Sequence, residues 1–182
     1  NAAKAGGISL MALSLAACGG SSTPVADAPA AADPAAPVVV TPITSALTIA
    51  SDTVTGTTGN DSVTGARIDT VQTLNSGDSI ALGDGTDSLS ATLNAGTTTP
   101  AAITGVESIT FTALGNATVD FDNVSGVTSL TSLGSSATLT VDDIQALATS
   151  VTVNNATATN TFTFKDAAVA GTTDSITLNL SG

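Results

Sequence analysis

From Ile109 to Leu180 the chain is written in short alternating runs: Ile109-Thr110-Phe111, Val119-Asp120-Phe121, Leu139-Thr140-Val141, Val151-Thr152-Val153, Phe162-Thr163-Phe164 and Ile176-Thr177-Leu178-Asn179-Leu180. Alternation of apolar and polar residues is the period-2 pattern of a strand with one face in a core. Gly, Asn, Asp and Ser separate the runs, and similar short runs begin near Ile43. Ile109, Leu130 and Val151 recur at a constant spacing, Val141 and Phe162 repeat that spacing, and Val119 and Leu139 fall one short of it. A period of about 20–21 residues with two short strands per repeat predicts a β-solenoid, in which each turn buries its apolar side chains against its neighbours. A β-sandwich, which also strings together many short strands, is the alternative architecture. One stretch departs from the pattern. In Asp142-Asp-Ile-Gln-Ala-Leu-Ala148 an Asp cap precedes Ile144 and Leu147 at helical spacing, which predicts a short helical turn.

Composition agrees with an all-β chain. Among 182 residues there are 33 Thr and 17 Gly, while charged residues make up only 10 %. Thr and Val suit a pleated surface, and the straight-chain helix formers Glu, Lys, Gln and Arg are scarce. Fourteen Asp and one Glu against Lys4, Arg67 and Lys165 give a net charge of −12, which excludes a nucleic-acid ligand because phosphate binding needs clustered cations. No His, Trp or Tyr is present and Cys18 is the only cysteine. Ser-His-Asp triads, Cys-His dyads, His-bound zinc and internal disulfides are therefore excluded, leaving carboxylates as the only catalytic groups. Asp120 with Asp122, and Asp142 with Asp143, are the pairs a carboxylate hydrolase would use. A solvated face and a helix cap explain them more simply, and no enzyme is expected.

The N-terminal segment predicts export. Lys4 precedes the apolar run Ile8–Ala17, about ten residues long, where a membrane-spanning helix needs about 20. The run ends in Leu15-Ala16-Ala17-Cys18, which resembles the lipobox of bacterial lipoprotein signal peptides. That resemblance implies lipidation of Cys18, cleavage before it and a membrane anchor. Gly19 takes the place of the Asp that retains such proteins at the inner membrane, so the implied destination is the outer membrane and the cell surface. Residues 19–42 hold five of the six prolines among small residues and predict a disordered tether. Residues 43–182 are the expected β-repeat domain. Its final run, Ile176–Leu180, has no visible cap, from which a C-terminal truncation is expected.

Two stretches match a glycine-rich nonapeptide whose carbonyl and Asp oxygens converge on Ca²⁺. They are Gly56-Thr-Thr-Gly59-Asn-Asp61-Ser-Val63 and Gly83-Asp-Gly85-Thr-Asp87-Ser-Leu89, well separated rather than in tandem, and Gly171-Thr-Thr-Asp174-Ser-Ile176 is a degenerate echo. The candidate metal residues are Gly56, Gly59, Asp61, Gly83, Gly85 and Asp87. The same residues also make ordinary turns, in which glycine takes the left-handed conformation and Asp bonds to nearby backbone. With the Thr-rich strands around Ile103–Phe111 and Ala117–Leu130, these motifs resemble RTX-type and S-layer-like bacterial surface proteins. The resemblance covers about residues 48–182 and implies a Ca²⁺-stabilised β-solenoid that forms or joins an outer coat. The expected partners are the membrane, through the lipid anchor, and other copies or surface-layer components. An adhesin that grips a host or neighbouring cell is the alternative expectation.

Overall fold

The computed structural model describes residues 40–148 and 150–182. Residues 1–39, which include Cys18 and most of the predicted tether, lie outside the described residues.

Fourteen strands coil into three parallel sheets. The largest holds β1 (Thr44–Ala46), β3 (Ser62–Gly65), β5 (Ser88–Leu93), β8 (Ser108–Ala113), β10 (Ser129–Leu133), β12 (Ser150–Asn154) and β14 (Thr177–Ser181), side by side in that order. A four-stranded sheet runs β6 (Gly96–Thr98), β9 (Ala117–Asp120), β11 (Leu139–Ile144) and β13 (Asn160–Phe164). A three-stranded one runs β2 (Thr53–Thr55), β4 (Ser79–Ala81) and β7 (Ala102–Thr104). Every pairing between strands is parallel and joins a strand to its counterpart one turn later, which makes the molecule a β-solenoid and rules out the sandwich. Most turns carry two strands; the turn with β5, β6 and β7 carries three.

The period seen in the sequence is a physical register. Leu130 pairs with Ile109 on one side and Val151 on the other, and the file continues through Leu89 to Val63. All five are at most 1 % exposed. Complete burial of such a side chain stabilises by about 1.5–3 kcal/mol, so each added turn contributes its own apolar layer. Outward, the same strands present a second file: Ser62, Ser88, Ser108, Ser129 and Ser150 share one register position. Phe111 and Phe121 tie the large sheet to the turn after β9, with ring centroids 6.3 Å apart and planes at 70°. That edge-to-face geometry adds about 0.5–1.5 kcal/mol beyond area burial.

The structure departs from the sequence expectations at three points. Val119 and Leu139 are not register partners; Val119 pairs with Val141 and Leu139 with Ala117. Turns also vary in length. Ser62 and Ser88 are in register although further apart in sequence than Ser108 and Ser129, because residues 66–77 form an excursion closed by an antiparallel bridge between Ile68 and Val71. Finally, Asp142 to Ala148 contains no helical turn: Leu139–Ile144 is strand β11, and Asp143 takes a left-handed φ of 55°. A single turn of helix fixes several dihedrals for one hydrogen bond, whereas extended Leu139–Asp142 gains a full ladder to β9. Asp143 marks a register shift that lets Ile144 bury and meet Phe164. The single helical element among the described residues is a 3₁₀ turn at Asp166–Val169.

Candidate functional site: carboxylates at the corners of the solenoid

Five strands of the first turns begin directly after an acid. Asp52 precedes β2, Asp61 β3, Asp78 β4, Asp87 β5 and Glu107 β8, each followed by Ser or Thr and then an apolar core residue. Two columns result, one at each corner.

In the first, Asp61 Oδ1 accepts the Ile43 N–H at 2.7 Å, Asp87 Oδ1 accepts the Asp61 N–H at 2.7 Å, and Glu107 Oε2 accepts the Asp87 N–H at 2.8 Å. The carbonyls of Ile43, Asp61 and Asp87 accept the N–H of Ser62, Ser88 and Ser108, so the corner backbone is paired on both sides. In the second column the Asp52 N–H donates to Asp78 Oδ1 at 2.9 Å, and the Asn75 N–H to Asp78 Oδ2 at 2.8 Å. A buried backbone N–H without a partner costs about 1–3 kcal/mol. At a corner, where strand pairing stops, a carboxylate from the next turn removes that cost.

Asp61, Asp78 and Asp87 are all buried, with exposures of 2 %, 0 % and 0 %. Their environments differ. Asp61 also accepts the Thr57 N–H at 2.6 Å, and that bond, with those from Ile43 and the Thr57 hydroxyl, holds its carboxyl below the usual range against the opposing effect of burial. Burial pushes Asp78 up, because the two amide bonds compensate only in part and Asp52 adds like charge.

The predicted metal residues meet here. Gly83 and Gly85 lie one turn above Thr57 and Gly59: a Cβ on Gly83 would sit 2.7 Å from the Thr57 carbonyl oxygen, and one on Gly85 2.5 Å from that of Gly59. Both glycines have positive φ, 94° and 138°. A Cβ on Gly56 would meet the Leu82 oxygen at 2.1 Å and Asp61 Oδ2 at 2.5 Å, whereas Gly59 faces the exposed Val40 side chain at 3.2 Å. The two nonapeptide-like stretches are thus stacked in adjacent turns.

Their carboxylates are not equivalent as ligands. Both Asp61 oxygens accept N–H groups. Asp87 Oδ2 is buried without a hydrogen-bond partner. Asp52 and Asp61 each take the N–H and hydroxyl of a Thr four residues earlier, Thr48 and Thr57, whereas Gly83, four residues before Asp87, has no hydroxyl to give. A buried carboxylate oxygen without a partner is the kind of hard oxygen ligand a cation such as Ca²⁺ takes. Asp87 is the residue that would hold it.

A separate acidic group lies on the four-stranded side. Asp120 and Asp142 are register partners on β9 and β11, while Asp122 lies beyond the strand rather than on its face. Carboxylate oxygens of Asp120, Asp122 and Asp143 lie within 4.8 Å of one another. Asp122 N–H donates to Asp120 Oδ1 at 2.9 Å, and Thr99 Oγ1 donates to Asp120 Oδ2 at 3.2 Å. Lys165 forms an ion pair with Asp122, and this contact, aided by the other acids, raises the lysine. The spacing of the two Asp pairs in sequence did not show that turns β9 and β11 would bring them together.

Compared with protein-family models, curated proteins and solved structures, the chain matches none. Sequence reasoning also passed over Asp52, Asp78 and Glu107. The signal was present as acid–Ser/Thr–apolar, which recurs at Asp52-Thr-Val54, Asp61-Ser-Val63, Asp78-Ser-Ile80, Asp87-Ser-Leu89 and Glu107-Ser-Ile109. Only two of the five sit in glycine-rich nonapeptides, and those two drew the reading toward metal.

Proposed function

We propose that this chain is a non-catalytic structural component of a bacterial cell surface, anchored by lipid on Cys18 and working through assembly of its β-solenoid. The observation that carries the reading is the use made of the buried carboxylates. Asp61, Asp78 and Asp87 accept backbone N–H groups that join one turn to the next, a role in extending a rigid body. The lipobox resemblance and the Pro/Ala stretch after Cys18 supply the anchor and the tether of this reading. A multiply acylated cysteine holds a membrane firmly, where a single chain binds marginally.

Ca²⁺ belongs to the proposal as a stabiliser of the early turns, held by Asp87. A ligand that binds only the folded state at a hundredfold excess over Kd adds about 2.7 kcal/mol. Millimolar Ca²⁺ then raises the melting temperature of the wild type, and Asp87→Ala abolishes the rise; an identical response in the variant refutes this part.

The anchor and the assembly are tested together. Expressed in a Gram-negative host, the full chain incorporates a lipid probe and fractionates with the outer membrane, and Cys18→Ala loses both. Electron microscopy of the purified full chain shows ordered oligomers or layers. Strictly monomeric protein that binds a defined glycan or protein saturably overturns the assembly reading in favour of an adhesin.

A further inference from the structure

None of the seven strands of the large sheet contains a charged residue, in a chain of net charge −12. The four-stranded sheet, by contrast, carries Asp120, Asp142 and Asp143 on its strands. At the border of the large sheet, Asp61 and Asp87 turn their carboxylates inward, where they are at most 2 % exposed. What faces outward is a set of short side chains in register: beside the serine file runs a second one of Thr64, Ser90, Thr110, Thr131 and Thr152. Leu133, 43 % exposed, is a large apolar residue on the same face.

We propose that this uncharged face is where a second copy of the chain packs, large sheet against large sheet. The proposal rests on the assembly reading above and names its interface. The first argument is charge. Two copies at −12 repel each other in most orientations, and meeting through the large sheets keeps the acids of the four-stranded sheet, Asp120, Asp142 and Asp143, out of the interface. The second is shape. In-register strands with short, near-identical side chains give flat faces that can interdigitate as a dry zipper, with sheets about 10 Å apart. Mixed Ser and Thr supply methyl groups for packing and hydroxyls for bonds across the interface.

Area sets the strength. Seven strands spaced about 4.8 Å, each presenting about five residues at about 3.3 Å, make a face of roughly 29 by 16 Å. Two such faces bury roughly 900–1,000 Å², below the range of stable specific interfaces and within that of weak, transient ones. A pair is therefore weak in dilute solution and is favoured when copies are concentrated on one membrane, since tethering raises effective concentration.

The test is sedimentation equilibrium of the purified full chain in low and high salt, with melting curves recorded for every variant. Wild type associates, more tightly at high salt as charge repulsion is screened. Thr131→Lys, and independently Thr110→Lys, raise the dissociation constant at least tenfold with little change in melting. Thr140→Lys, outward on β11, leaves it within twofold. Association that survives both Thr131→Lys and Thr110→Lys, or that falls equally with Thr140→Lys, overturns this interface while leaving the assembly reading standing. A wild type that stays monomeric at all concentrations and salts overturns both.

Discussion

Asp87 offers the sharpest test of the corner carboxylates, because its two oxygens have opposite consequences. Oδ1 accepts the Asp61 N–H at 2.7 Å, beside a residue only 2 % exposed. Asp87→Ala leaves that N–H buried without a partner, a loss of about 1–3 kcal/mol, and more when the acceptor was charged. The same substitution removes the orphaned Oδ2, whose burial works against the folded state, so the net loss is about 2 kcal/mol. For a chain of this size that is about 4–8 °C in melting temperature. Asp87→Asn keeps an oxygen acceptor for Asp61 and loses less, about 1 kcal/mol. Urea denaturation without divalent cations orders the proteins as wild type, then Asn, then Ala. Native-state hydrogen exchange provides the local readout: the Asp61 amide loses protection in Asp87→Ala before the amides of β10 do. An Ala variant within about 0.5 kcal/mol of wild type, the range of an unremarkable surface change, refutes the capping account. So does an Asn variant no better than Ala.

Other consequences follow from the same turns. Gly56→Ala drives a methyl group to within 2.1 Å of the Leu82 oxygen and destabilises by about 1–3 kcal/mol, while Gly59→Ala, facing the exposed Val40 side chain, costs under about 1 kcal/mol; thermal melts of the pair decide it. Leu130→Ala, within the apolar file and 0 % exposed, costs about 2–5 kcal/mol in urea denaturation. The two corners respond to pH in opposite directions. Asp61 has its folded carboxyl held below the ordinary value of 3.8, so its stabilisation is present above that pH and is lost as pH falls through the lower folded value. Asp78 has its carboxyl raised above 3.8, so its contribution is full below that pH and is lost as pH rises through the folded value. Asp61→Asn therefore costs more at pH 7 than at pH 3, and Asp78→Asn costs less at pH 7 than at pH 3; equal costs at both pH values refute the assignments.

The large sheet was legible because its information is local and repeated. Ile109, Leu130 and Val151 announce their register through identity of type and spacing, and the structure places them side by side. The early turns hid theirs. Ser62 and Ser88 are partners across a longer stretch of chain because residues 66–77 add an exposed loop around the Ile68–Val71 bridge and then return through buried Thr73 and Leu74, without disturbing the strands they connect. A solenoid tolerates such an insertion at a corner, where the pairing ladder is already interrupted, and a search for a fixed period misses it. The near-periodic spacing of Val119 and Leu139 misled for the opposite reason: any alternating strand offers an apolar residue at every second position, so chance agreement two residues from the true partner is easy.

The corner acids show why a site is harder to read than a fold. Asp61 and Asp87 looked like calcium ligands because Gly, Asn and Asp cluster around them, yet the same residues are required by a second task, presenting a carboxylate to the backbone of the preceding turn. The acid does that work whether glycines surround it or not, as Asp78 and Glu107 show by accepting the Asp52 and Asp87 N–H groups. Asp52, Asp61 and Asp87 differ in the residue that stands four places back. Thr48 and Thr57 saturate Asp52 and Asp61, and Gly83 leaves Asp87 one oxygen short. The columns stop after Glu107, beyond which Thr128 opens the corresponding corner and donates its own N–H to the Glu107 carbonyl. The turns before β10 are therefore joined by carboxylates at their corners as well as by the ladder, whereas the later ones add to the ladder and the apolar file other side-chain bonds, such as the Asn116 Oδ1 that accepts the Thr138 N–H and the Lys165–Asp122 ion pair. Acid should consequently loosen the corner where Asp61 accepts the Ile43 N–H ahead of the corner where Asp78 accepts the Asp52 N–H, and hydrogen exchange of those two amides at pH 3 compared with pH 7 reads that order directly. Equal loss of protection at the two corners would show that the carboxylates contribute nothing particular to the turns they join.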